Sequence, residues 1–172
     1  MHLLLLRHAI AAPRDLERFP DDRSRPLTKE GERRMRRAAR GMHRLGARFD
    51  LILASPYVRT VATARLVAAV CRPRAELRLL KPLAPGGGVG GIIGALAGLP
   101  PQSEILLVGH EPDLSLLAAA LVLERRSELP IEFKKGTLAR IDTDGVPRPG
   151  NGRLIYLLPP RVLRRIAERR SL

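Results

Sequence analysis

Met1-His2-Leu3-Leu4-Leu5-Leu6-Arg7-His8-Ala9 is the stretch from which the rest of the chain is read. A short apolar run stopped by two basic residues is a buried strand that delivers Arg7 and His8 at its carboxyl end. In open α/β sheets that end is where ligands bind. Two later stretches repeat the arrangement. Leu51-Ile52-Leu53-Ala54 runs into Ser55-Pro56-Tyr57-Val58-Arg59, and Ile105-Leu106-Leu107-Val108 runs into Gly109-His110-Glu111-Pro112. Three buried strands, each ending in Arg or His, point to one pocket for an anion.

A length of 172 residues suits one compact domain, residues 1–172, with a proper core. Apolar residues are spread along the chain, which argues against disorder. The four leucines of the first strand are too few for a signal-peptide core or a membrane span, and Arg interrupts every long apolar segment. A cytoplasmic location is the expectation. Cys71 is the single cysteine, so neither an internal disulfide nor a cysteine metal cluster is available, and it reads as helix packing.

The formal charge is +14, carried mostly by Arg, with Lys only at 29, 81, 134 and 135. A basic surface steers anionic substrates and binds nucleic acid weakly at low salt. Two Tyr and three Phe supply little for stacking bases, so specific nucleic-acid binding is not expected.

Residues 10–26 mix Pro13, Pro20 and Pro26 with charges such as Asp15, Asp21 and Asp22, and read as a surface loop beside the pocket that acts as a partial lid. Thr28 caps a first helix, with Met35, Ala38, Ala39, Met42 and Leu45 as its apolar stripe and Gly46 past its end. Its arginines at 33, 34, 36, 37, 40 and 44 read as a solvated face rather than a nucleic-acid ridge. A second strand spans 49–54, and Ser55 and Pro56 open a second helix running to Cys71. Arg59 then lies in the first turn, where free backbone N–H groups already favour an anion.

A third strand is expected at 77–80, followed by a glycine cluster at 86–91 that lacks the ending of a P-loop. Short helices at 92–99 and 112–123 flank the 104–108 strand. Residues 131–134 and 137–142 suggest a hairpin around Lys135-Gly136, and a strand at 153–158 precedes a last helix begun by Pro159 and Pro160.

The chemistry follows from the residue types. Arg7 and Arg59 can clamp a phosphoryl group and neutralise its charge. A neutral imidazole held in line is a competent nucleophile towards phosphorus. A second imidazole can donate to the equatorial oxygens as charge builds. His8 therefore attacks, Arg7 and Arg59 clamp, and His110 donates, with Arg7, Arg59 and His110 binding the phosphate.

These motifs together resemble the histidine phosphatase (phosphoglycerate mutase-like) superfamily. Leu6-Arg7-His8-Ala9 is similar to its RHG/RHA signature, Ser55-Pro56-Tyr57-Val58-Arg59-Thr60 with Thr63 to its SP-x-x-R-x-x-x-T segment, and Val108-Gly109-His110-Glu111-Pro112 to its second-histidine segment. The Arg25-Pro26-Leu27-Thr28, Leu83-Ala84-Pro85-Gly86 and Lys134-Lys135-Gly136 stretches look most like the SixA-type phosphohistidine phosphatase branch. The resemblance implies a three-layer α/β/α sandwich with a mainly parallel central sheet and helices on both faces. It implies a phospho-His8 intermediate resolved by water, with no metal and no cofactor.

Two departures bear on the substrate. The mutase and broad-phosphatase branches carry a Glu proton donor in a loop before the second His, whereas residues 85–91 hold no carboxylate. The acid-phosphatase branch has Asp after the second His, and this chain has Glu111. Glu111 either protonates the leaving group or caps the helix opened by Pro112, and the cap is the favoured reading. A missing acid hampers departure of an alkoxide more than departure of an imidazole. Phosphohistidine in a partner protein is therefore the expected substrate. A small phosphorylated molecule is the alternative within the same chemistry, and a non-catalytic phosphate- or nucleic-acid-binding module is the alternative from another class.

Overall fold

The computed structural model describes residues 1–101, 103–124 and 130–168. Strand β1 (His2–Arg7) carries four leucines in a row, and all four are buried. Alternate side chains of a strand point to opposite faces, so a run of this kind requires cover on both sides. Leu4 and Leu6 join one core with Met35, Ala39, Met42 and Val67, while Leu3 and Leu5 join a second with Ile92, Leu96, Leu114 and Leu117. The two cores lie on opposite faces of one sheet, and β1 belongs to both.

The other elements in order are α1 (Lys29–Arg44), β2 (Leu51–Ala54), α2 (Val58–Cys71), β3 (Glu76–Leu79), α3 (Val89–Ala97), β4 (Glu104–Gly109), α4 (Asp113–Val122), β5 (Leu138–Thr143), β6 (Gly152–Leu158) and α5 (Pro160–Glu168). Among the described residues the strands form one six-stranded sheet in the order β3-β2-β4-β1-β5-β6. The pairs β1–β4, β2–β4 and β2–β3 are parallel, and β5 and β6 add antiparallel. Residues of α1, α2 and α5 contribute to the first core and residues of α3 and α4 to the second, giving the expected α/β/α sandwich with a mainly parallel sheet.

Register places the site. Leu6 lies opposite Val108, Arg7 opposite Gly109, and Ala54 opposite Val108. The hydrogen bonds continue one step past the strands, from His8 N to Gly109 O (3.1 Å) and from Ser55 N to Val108 O (3.0 Å). The residues that follow three adjacent parallel strands thus leave the sheet side by side. Helix α1 closes tightly on the chain leaving β1: a Cβ on Gly31 would meet the Ile10 carbonyl oxygen at 2.1 Å. A larger residue there would push the helix off the site.

Thr28 caps α1 as expected, its side chain accepting from Gly31 N. The second helix starts at Val58, not at Pro56, and Ser55 is not its cap: Tyr57 is the N-cap residue. Residues 131–134 are not a strand. β5 pairs instead with β1 and β6, so the proposed hairpin is replaced by an antiparallel extension of the main sheet. The strand expected at 137–142 is present as β5, and the sheet edge it pairs with is that of β1. The glycine cluster forms the turn leading into α3, with Gly88 (φ +81°) as the residue before the helix. Cys71 is buried at the end of α2, and burial pushes its thiol up to about 11. Arg33 and Arg34 pair with Glu30, and Arg37 with Glu168, on the exposed face of α1.

Candidate active site

β1, β2 and β4 end at one place, and four side chains converge on it. His8 and His110 are 5% and 3% exposed, and their rings lie 5.1 Å apart. Arg59, on the first turn of α2 and 3% exposed, reaches His110, with Nη2 3.4 Å from Nδ1. Arg7 extends to the segment before β5, where Nη1 donates to Phe133 O at 2.6 Å. The structure therefore brings all four sequence-predicted residues together.

Hydrogen-bond chemistry fixes the state of each ring. His8 Nδ1 lies 2.7 Å from the Ala9 carbonyl oxygen, which can only accept. Nδ1 therefore carries the proton, and Nε2 holds a free lone pair. Burial pushes the His8 pKa from the usual 6.5 down to about 3, opposed by the Ala9 carbonyl and reinforced by Arg59, Arg7 and Lys135. His8 is neutral at pH 7.

For His110, the guanidinium of Arg59 can only donate, so Nδ1 accepts and the proton sits on Nε2, which donates to Ser55 Oγ at 2.9 Å. Burial, then His8 and Arg59, lower its pKa to about 3, with Asp22 opposing.

Sequence reasoning missed three contributors. Ser55, fully buried, is the partner of His110 rather than a helix cap. Tyr57 packs edge-on against the His110 ring at 5.0 Å, and the Arg59 guanidinium lies over its face at 4.7 Å. Asp22, at the start of the short helical turn Asp22–Ser24, accepts from Arg59 Nη2 through Oδ2 (2.8 Å) and from Nη1 through its backbone carbonyl (2.7 Å). Burial works to raise the Asp22 pKa, but the bond from Arg59 and the charges of Arg59 and Arg25 hold it below its usual range. The Ser and Tyr were visible in the motif but carried no sign of their partner. A carboxylate in a charged loop looks like any solvated one until α2 meets it. Residues 10–26 do lie beside the pocket, with their tip on Arg59.

Thr63 anchors the backbone that follows His8. Thr63 accepts from Ala9 N (3.0 Å) and donates to Arg59 O (2.7 Å), joining the turn after β1 to α2. Glu111, left open between acid and cap, does neither in a simple way. One of its oxygens accepts from Ser115 Oγ (2.5 Å) and the other from Phe133 N (2.8 Å), so it ties α4 to the segment that holds Arg7.

Arg7 Nε and Arg59 Nε are buried with no hydrogen-bond partner. Buried guanidinium N–H groups are rarely left so, and their desolvation is costly. Both belong to the two predicted clamps. Among the described residues no three His, Cys, Asp or Glu side chains gather as a metal site.

A family model described as histidine phosphatase superfamily (branch 1) matches residues 3–83. An uncharacterized protein of Picosynechococcus sp. is 38% identical over 127 residues, covering 70% of this chain and 73% of that protein. The chain belongs to the histidine phosphatase superfamily. Among solved structures, the protein histidine phosphatase SixA complexed with tungstate superposes with a TM-score of 0.81 at 26% identity, over 94% of this chain and 98% of that one. SixA from Agrobacterium tumefaciens matches at 0.76 and 24% identity, over 92% and 97%. The match to the SixA-type branch therefore runs nearly end to end, beyond the part covered by the family model. No helix among the described residues is long and apolar enough to cross a membrane.

Proposed function

We propose that this histidine phosphatase hydrolyses phosphohistidine in a partner protein through a covalent phospho-His8 intermediate. The observation that carries the reading is the state of His8: Nδ1 is committed to the Ala9 carbonyl, so Nε2 keeps a neutral lone pair within the field of two guanidiniums, Arg59 and Arg7. Nε2 attacks phosphorus as the bond to the substrate imidazole breaks, and that imidazole takes a proton from solvent. Water then attacks phospho-His8, releasing inorganic phosphate and the free ring. Arg7 and Arg59 balance the oxygen charge, and their bare Nε–H groups supply unused donors. The tungstate bound by the SixA relative is an oxyanion of the same shape.

His110 needs its proton on Nδ1 to donate towards the phosphoryl group. The Ser55 hydroxyl permits this, because it can turn to donate to Nε2 as readily as it accepts from it. Substrate choice follows from the acids. Glu111 spends both oxygens on Ser115 and Phe133, and Asp22 is held ionised by Arg59. Neither is set to protonate an alkoxide, and an imidazole leaving group has the least need of it.

The test pairs two substrates and one variant. A phosphohistidine peptide should be turned over with a higher kcat/KM than simple phosphate esters at pH 7, and His8→Ala should lose both turnover and acid-labile phosphoenzyme labelling. Preference for the ester would instead assign a small-molecule phosphomonoesterase, and full activity in His8→Ala would end the mechanism.

A further inference from the structure

A cavity of about 960 Å³ opens beside Arg7, between the N-terminal three turns of α1, the start of α5 and the segment before β5. Its lining holds six cations, Arg7, Arg34, Lys134, Lys135, Arg161 and Arg164, against one carboxylate, Glu132. Some of this charge is answered locally, since Arg34 pairs with Glu30 and Lys134 lies 3.9 Å from Glu132. Lys135, Arg161 and Arg164 have no ion-pair partner among the described residues. The floor is apolar, with Met35, Ala38 and Leu157. The cleft adjoins the phosphoryl site through Arg7 and Ala9, which line it, and the charge of Lys135 on its wall acts on His8.

We propose that this cleft is the docking site for an acidic segment of the phosphorylated partner protein, one that also presents an apolar side chain to the floor. The proposal rests on the phosphohistidine reading above and names the partner surface that reading lacks. Three features select a protein segment over a small anion. The cavity is far larger than a phosphoryl group needs. Its unpaired cations are spread from Lys135, beside His8, to Arg164 on α5, so one compact dianion cannot meet them all. An apolar floor under a cationic rim suits a chain with alternating chemistry better than a compact polyanion. Burial and the nearby Arg34 and Arg37 depress the Arg164 pKa, with Glu30 opposing, which marks a guanidinium short of negative charge.

The experiment compares two phosphohistidine peptides of equal length, one with Glu and one with Gln on the flank of the phosphorylated residue, with inorganic phosphoramidate as the small substrate. Wild-type protein should show a lower KM for the Glu peptide, and added salt should remove the difference. Arg161→Glu with Arg164→Glu should raise the KM of the Glu peptide about tenfold, the loss of roughly two exposed charge contacts. The kcat, the Gln peptide and phosphoramidate should stay unchanged, and Arg161→Lys with Arg164→Lys should restore the low KM. Equal KM values for the two peptides in wild type, or equal losses for all three substrates in the Glu variant, would overturn the docking site. So would salt-sensitive binding of single-stranded DNA that the Glu variant abolishes while the peptides are indifferent to it. Failure of wild type to hydrolyse phosphoramidate or either peptide would instead overturn the phosphohistidine reading.

Discussion

Two neutral, buried histidines make a demand on stability that can be measured. Folded, His8 and His110 stay unprotonated down to about pH 3; unfolded, each takes a proton below 6.5. Between those values the unfolded chain binds more protons, so acid favours unfolding. The contribution of each ring is fully present above pH 6.5 and is lost as pH falls through the window below it. From pH 7 to pH 5 each ring accounts for about 2 kcal/mol, and the pair for about 4 kcal/mol. The Asp22 carboxyl, held below 3.8, enters only at lower pH.

Urea unfolding at the two pH values, followed by circular dichroism, gives the difference directly. His8→Asn with His110→Asn should flatten the dependence, whatever it does to absolute stability. His8→Asn alone should remove about half of it, because over this window both rings are neutral when folded and each contributes the same amount. Wild-type stability that is equal at pH 5 and pH 7, or a double variant that keeps the full slope, would refute the burial of neutral imidazoles in the site.

Ser55→Ala leaves the His110 Nε2–H without its 2.9 Å partner, and the unmet donor should cost about 1–3 kcal/mol; kcat should fall while KM holds, whereas a rise in KM alone would place Ser55 in substrate binding. Asp22→Asn removes the anion that competes for Arg59, so tungstate measured by calorimetry should bind about tenfold more tightly; weaker binding would mean that Asp22 serves to aim the guanidinium. Leu5→Ala in the centre of the sheet should cost about 2–5 kcal/mol in denaturant unfolding, and a loss below 1 kcal/mol would contradict the dry packing of β1.

The central strands and the convergence of Arg7, His8, Arg59 and His110 were legible because short runs buried on both faces leave little choice of architecture. A strand of Leu3 to Leu6 needs cover on both faces, and parallel neighbours align their carboxyl ends. The partners were less legible. Ser55 before a proline satisfies the rule for a helix cap, and only β4, more than fifty residues later, supplies the imidazole that outcompetes the backbone for its hydroxyl. Asp22 differs from Asp15 or Asp21 by no local property; tertiary contact with α2 selects it. Residues 131–134 have the alternation of a strand, yet their backbone is drawn off to Arg7 and Glu111, as the bonds at Phe133 O and N record. Local pattern yields wherever a charged group from elsewhere makes the stronger bond.

The same distinction separates the meaningful part of a +14 charge from the rest. Arg33, Arg34, Arg72 and Arg78 are exposed and paired with nearby carboxylates, as a solvated face requires. Exposed pairs of this kind contribute about 0–1 kcal/mol each and say nothing of function. Arg7 and Arg59 differ in kind: each is held by the fold, yet each keeps one buried N–H unmet. Around them two imidazoles are kept neutral by the burial that makes the unmet donors costly. A site selected for stability would replace such groups with apolar side chains. The doubly covered leucine sheet carries that cost, and what the site holds in return is a neutral imidazole nitrogen close to donors that no protein atom has satisfied. In the mechanism proposed above, an oxyanion placed there satisfies the donors and meets His8 in one step, so stability and chemistry would pull on the same four side chains.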